Sequence, residues 1–100
     1  MLKVKEVYVE NVRYMPDQGA YAQPHKRGKR HFNSRNCLLN PDYIVAVYPH
    51  SFQSSVETEM LQANFSGDDE FTRVIIDGNS FRSSEIIINM PYDQLVEQLT

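Results

Sequence analysis

The side chains best suited to chemistry in this chain are a single cysteine, three histidines and a cluster of lysines and arginines. His25, His31, Cys37 and His50 follow one another at intervals of six, six and thirteen positions. Structural zinc sites draw on closely spaced ligand pairs, which these intervals lack, so no metal site is expected. Cys37 could act as a nucleophile if His31 or His50 lay beside it as a base and the neighbouring basic charge lowered its pKa. The more ordinary use of such a thiol is as a small buried hydrophobe, here beside Leu38 and Leu39. Asp68, Asp69 and Glu70 place three carboxylates in a row. A calcium loop instead spreads its ligands over about 12 residues and closes on a glutamate, so these read as the solvated tip of a hairpin. Gly67 and Gly78 are isolated glycines and form no phosphate-cradling loop. No catalytic set emerges, and the chain reads as non-enzymatic and without a cofactor.

The basic residues give a stronger signal. Residues 1–56 carry eight Lys or Arg against four Asp or Glu, a surplus of +4, whereas residues 57–100 carry two against nine, or −7. Five of the ten basic residues fall between Lys26 and Arg35, in the stretch His25-Lys-Arg-Gly-Lys-Arg-His-Phe-Asn-Ser-Arg35. A field of this sign attracts phosphates or an acidic protein surface; a solvated loop paired with the acidic half is the plainer alternative. Single-strand nucleic-acid binders on small β-barrels combine a positive groove with aromatic stacking faces. Tyr21, Phe32, Tyr43 and Tyr48 lie near the basic run in sequence. Against that use, Phe32 and Tyr43 suit a core and Tyr21 a loop cover, and a pI near 5.5 argues against general affinity for nucleic acid.

The elements that must position these residues follow from patterning. Val4, Val7, Tyr8, Val9 and Val12 stand among Lys, Glu and Asn, and their near alternation and β-branching predict a strand over 2–10. Pro16, Gly19, Pro24 and Gly28 break regular structure after it. With the basic run they predict a long loop over about 15–35, of a length that often carries function. A second strand fits 30–39 and closes on the turn Asn40-Pro41-Asp42. The nearly continuous apolar run Tyr43–Tyr48 predicts a central strand covered on both faces and ended by Pro49. Val56–Phe65 suits either a helix or a strand; the turn cluster Ser66–Glu70 and the strand-like Phe71–Ile76 beyond it favour a hairpin, and therefore a strand. Asp77-Gly78-Asn79 predicts a hairpin turn into a last strand over 80–88. Asn89 as N-cap, Pro91 in the first turn, Asp93 at the positive end and the stripe Leu95, Val96 and Leu99 predict one terminal helix.

A chain of 100 residues, 41% hydrophobic and 11% aromatic, supports one core, so a single domain over 1–100 is expected. No run of about 18 apolar residues occurs, and the first residues alternate charge with apolar groups, so neither a membrane span nor secretion is expected. A lone cysteine fits a reducing compartment and makes the cytoplasm the expected address. Short strands with one terminal helix predict a mainly β fold, a small antiparallel barrel or bent sheet with the helix plugging an open end.

The order Leu39-Asn-Pro-Asp-Tyr-Ile-Val-Ala-Val-Tyr-Pro49, then Thr72-Arg-Val-Ile-Ile-Asp-Gly78, then a strand leading to Pro91-Tyr-Asp-Gln-Leu-Val-Glu-Gln-Leu99, resembles the small FlbD-type flagellar proteins and related short phage-encoded proteins. The resemblance covers about residues 31–99 and implies a small SH3-like β-barrel without known catalytic residues. The chain departs from that pattern in its N-terminal extension, its basic loop and its longer segment between Pro49 and Phe71. These departures count against a flagellar role, and the resemblance then implies a phage or mobile-element origin.

The expected function is therefore binding or regulation, with specificity in residues 21–35 and a larger protein as partner. Lys26, Arg27, Lys29, Arg30 and Arg35 supply charge complementarity, and Tyr21, His25 and His31 adjacent contacts. A single-stranded nucleic acid is the alternative partner, and the opposed charges of the two halves also allow self-association.

Overall fold

Near alternation of valines with polar residues extends the first strand past its predicted end. The computed structural model describes residues 1–12, 29–77 and 85–100. In it β1 spans Leu2–Val12 and β2 spans Lys29–Leu39. The two pair antiparallel without a break from Leu2↔Leu39 to Val12↔Lys29. The loop expected over 15–35 is therefore shorter at its C-terminal end, since residues 29–35 belong to a strand. Residues 13–28 lie outside the described residues.

β2 closes at Asn40, whose Oδ1 accepts from the Asp42 backbone N–H at 3.0 Å and caps a short 3-10 helix, Pro41–Tyr43. This is the turn that Asn-Pro-Asp predicts. β3 then spans Ile44–His50, β4 Phe71–Ile76 and β5 Glu85–Ile88. The five strands form one antiparallel sheet in the order β2-β1-β5-β4-β3. The fold is mainly β, as expected, but the sheet is open, with β2 and β3 at its edges, so an SH3-like barrel is not confirmed.

β3 is an edge strand and not the central one that its apolar run suggests. Val45 is 70% exposed, at a register irregularity between Ile44 and Ala46, and Tyr48 is also exposed. The Tyr48 ring is covered from another direction, by the Arg73 guanidinium 4.8 Å above it. Pro49 does not end the ladder either: it stands opposite Thr72, and the strand runs on to His50. A proline is tolerated there because an edge strand needs only one side of its backbone for pairing.

Residues 55–62 form a helix, α1 (Ser55–Gln62), where a strand was expected. Ser54 Oγ accepts from the Glu57 backbone N–H at 3.1 Å and hydrogen-bonds the Glu57 carboxylate at 3.0 Å. This Ser-x-x-Glu arrangement supplies a partner for the Glu57 N–H at the helix terminus and starts the helix. The hairpin expected between 56–65 and 71–76 is thus replaced by a helix and a turn, in which Asp69 Oδ2 accepts from the Ser66 N–H at 2.8 Å.

β4 and β5 do pair antiparallel, from Ile75↔Glu85 to Thr72↔Ile88; the expected Asp-Gly turn itself lies outside the described residues beyond Asp77. The terminal helix α2 spans Tyr92–Leu99, with Pro91 rather than Asn89 at its N-cap and no side-chain cap bond. The Asn89 N–H instead donates to the Lys5 carbonyl at 2.8 Å, continuing the pairing of β5 with β1. Among the described residues two short α-helices therefore accompany the sheet, where one was expected.

Because side chains alternate across a sheet, the strands feed two cores. Val4, Leu39, Val74, Ile76 and Ile88 pack with Met90 and Leu95 on the α2 side. Val7, Phe32 and Phe71 pack with Phe52, Met60, Leu61 and Phe65 on the α1 side. The result is a sheet with one helix on each face, in which α2 lies on a face and plugs no barrel end.

Candidate functional site

Of the eight residues singled out from sequence, Tyr21, His25, Lys26 and Arg27 lie outside the described residues. Lys29, Arg30, His31 and Arg35 all fall on β2. Among the side chains described, the strand does not bring Arg30, His31 and Arg35 together as one charged surface.

Arg35 faces Glu6 across the β1–β2 pair, and its Nε donates to Glu6 Oε1 at 2.8 Å. Its guanidinium also stacks 4.7 Å over the Tyr8 ring. The hydrogen bond to Glu6, reinforced by the carboxylate charge, pushes the Arg35 pKa further up. This cation is therefore already partnered. Arg30 is exposed and is held at a different place, the rim of a cleft of about 540 Å³ between β2 and α1.

The local sequence explains that cleft. Phe32 is buried under the α1 segment with its ring 4.7 Å from that of Phe52, which in turn meets Phe71 at 5.0 Å. Asn64, just past α1, donates from Nδ2 to the Phe32 carbonyl at 2.8 Å and ties the helix to the strand. Val56, Met60 and Ala63 then line the cleft as an apolar strip at helical spacing, with Glu59, Gln62, Arg30 and His31 around it. Val56 is 65% exposed. The Nδ1 atom of His31 is buried without a hydrogen-bond partner among the described residues. The α1 contributors are invisible to a sequence reading that makes their segment a strand; the capping signal Ser54-x-x-Glu57 is the clue that finds them.

The other chemical candidates are dispersed. Cys37 and His31 lie on the β2 edge and His50 at the end of β3, the opposite edge of the sheet. Burial pushes the Cys37 thiol pKa up, with the Glu6 charge adding to it, the reverse of what activates a nucleophile. Among the described residues no three His, Cys, Asp or Glu side chains gather as a metal-binding group. A second cleft, of about 690 Å³, opens beside the start of α2 and is walled by His50, Phe52, Phe71, Tyr92 and Asp93 among others. His50 packs edge-on against Phe52 there, with ring centroids 4.7 Å apart. Tyr43 and Tyr48, candidates for base stacking, sit on or next to β3, and Phe32 is in the core. Four strand spacings separate β3 from β2, roughly 19 Å. Among the described residues no helix is long and apolar enough to cross a membrane. No family model, no curated protein and no solved structure matches the chain.

Proposed function

We propose that the chain is a non-enzymatic binding and regulatory module that docks on a larger protein through its basic loop and the strand end into which that loop runs, residues 21–35. The observation that carries this reading is the meeting of Arg30 with the apolar strip of α1, exposed at Val56. An apolar floor with a polar and charged rim is the usual composition of a protein-docking patch, and the basic residues clustered just before Arg30 in sequence add steering for an acidic partner. The partner segment is accordingly acidic, with an apolar side chain for the Val56, Met60 and Ala63 strip. Cytoplasmic location, a phage or mobile-element origin and kinship with SH3-like FlbD-type proteins belong to the same proposal and rest on the sequence. Nucleic acid is the weaker reading, because Arg35 is paired with Glu6, Phe32 is buried, and Tyr43 and Tyr48 stand at the edge of the sheet opposite the basic strand.

The test is affinity capture by the wild-type chain, by a variant with Lys26, Arg27, Lys29, Arg30 and Arg35 changed to Ser, and by Val56→Glu, each with and without nuclease. A protein retained after nuclease and lost with both variants supports the proposal. A partner that binds both variants as well as wild type overturns it, and capture abolished by nuclease moves the assignment to nucleic acid.

A further inference from the structure

The two edges of the sheet are not guarded alike. β3 carries a register irregularity at Val45 and a proline at position 49, both devices that stop a sheet edge from pairing with another chain. β2 carries neither: its register with β1 is continuous over all 11 residues.

Which β2 backbone groups face outward follows from three hydrogen bonds. The Phe32 carbonyl is taken by Asn64, the Ser34 N–H by the Asn33 side chain at 2.8 Å, and the Lys5 carbonyl by Asn89 on the far side of β1. In an antiparallel pair each residue points its N–H and C=O the same way and the direction alternates along the strand. Arg30, Phe32, Ser34, Asn36 and Leu38 therefore turn theirs away from β1. Asn64 takes the Phe32 carbonyl and Asn33 the Ser34 N–H. Beyond Leu39 the chain leaves the strand for its 3-10 helix. Past the Ser34 cap, Asn36 and Leu38, with Cys37 between them, keep both outward groups without a partner among the described residues.

We propose that this edge pairs with the same edge of a second copy, antiparallel about a two-fold axis at Cys37, joining two five-stranded sheets into one. In this register Asn36 of one copy exchanges both backbone hydrogen bonds with Leu38 of the other, and the reverse, so the outward groups of these two residues are matched in both copies. The Ser34 cap is left undisturbed. No other register uses Asn36 and Leu38 of both copies without opening that cap or running into the 3-10 helix. Charge permits it: Asn36, Cys37 and Leu38 are neutral, Arg35 is neutralised by Glu6, and the cationic start of β2 overhangs the seam instead of meeting its copy. Leu38, 56% exposed, gains cover at this seam. The seam is short, so the dimer is weak and concentration-dependent. It sets the two basic strand ends pointing apart, roughly 54 Å from one another, which would present two docking ends to one target.

The test is amide hydrogen exchange across a dilution series of the full chain, together with cross-linking by diamide, which takes two electrons and two protons from a pair of thiols to leave one disulfide. Two Cys37 residues facing each other as a non-hydrogen-bonded pair have Cα atoms about 4.5 Å apart, within disulfide reach. The proposal expects the Asn36 and Leu38 amides to become protected as concentration rises, Ser34 to stay unchanged, and a Cys37–Cys37 dimer to accumulate on oxidation. Asn36→Pro removes an outward N–H without touching the β1 ladder and should weaken association about tenfold or more. Should that variant fail to fold, Leu38→Lys, at an exposed position, carries the same expectation. The proposal is overturned by a monomer that persists to millimolar concentration, by a dimer in which these two amides still exchange freely, or by association unchanged in a folded variant.

Discussion

The Arg35 guanidinium donates to the Glu6 carboxylate at 2.8 Å from the facing position of β1. One of the five cations clustered in sequence is thereby paired within the sheet. The geometry separates Arg35 from Arg30, which is exposed and lines the α1 cleft. Arg30→Ser should weaken capture of the protein partner markedly, and Arg35→Ser should change it little. Calorimetric titration of the two variants decides this, and equal losses would mean that the whole basic run acts as one field.

Thr72 is fully buried, and its Oγ1 donates to the Met90 carbonyl at 2.6 Å, fastening β4 to the approach to α2. Thr72→Val keeps the shape and deletes the donor, leaving that carbonyl without this partner. Such a loss costs about 1–3 kcal/mol. Urea unfolding should show a midpoint lowered accordingly in Thr72→Val and largely kept in Thr72→Ser.

Much of this architecture was legible because its signals are local. Near alternation in β1, the Asn40-Pro41-Asp42 turn and the Leu95 stripe of α2 each report on residues next to them in sequence. What was lost depended on tertiary context. The apolar run of β3 reads as central from its composition alone, yet Tyr48 is shielded by Arg73 from the neighbouring strand, and composition does not register that cover. α1 was misread for a different reason: the expected hairpin outweighed a capping signal plainly present at Ser54 and Glu57. The cleft beside Arg30 went unseen with it, since only a helix puts Val56, Met60 and Ala63 on one side.

Leu95 is fully buried and is the inward anchor of α2. The helix has no side-chain cap, and eight residues hold little helical stability of their own, so its place depends on this packing. Leu95→Ala removes the anchor and should cost about 2–5 kcal/mol, a large share of the about 5–15 kcal/mol typical of a small domain. Denaturant unfolding measures the loss, and faster amide exchange through 92–99 than in the sheet would locate it in α2.

The Cys37 thiol gives the protein a dependence on alkaline pH. Burial, and then the Glu6 charge, raise its pKa in the folded chain, against a smaller lowering by Arg35. Below the ordinary thiol range both folded and unfolded chains hold the proton, and the group contributes no pH dependence. Above that range the unfolded chain releases it first, while the folded chain binds the proton more tightly. Stability then declines with rising pH until the folded thiol ionises as well. The gap in urea midpoint between Cys37→Ser and wild type should therefore move in favour of the serine variant as pH rises through the alkaline range and stay constant near neutrality. In the same range alkylation of wild-type Cys37 should be slower in the native protein than in urea. A gap that does not change with pH would show that the thiol is solvated as freely in the fold as in the unfolded chain.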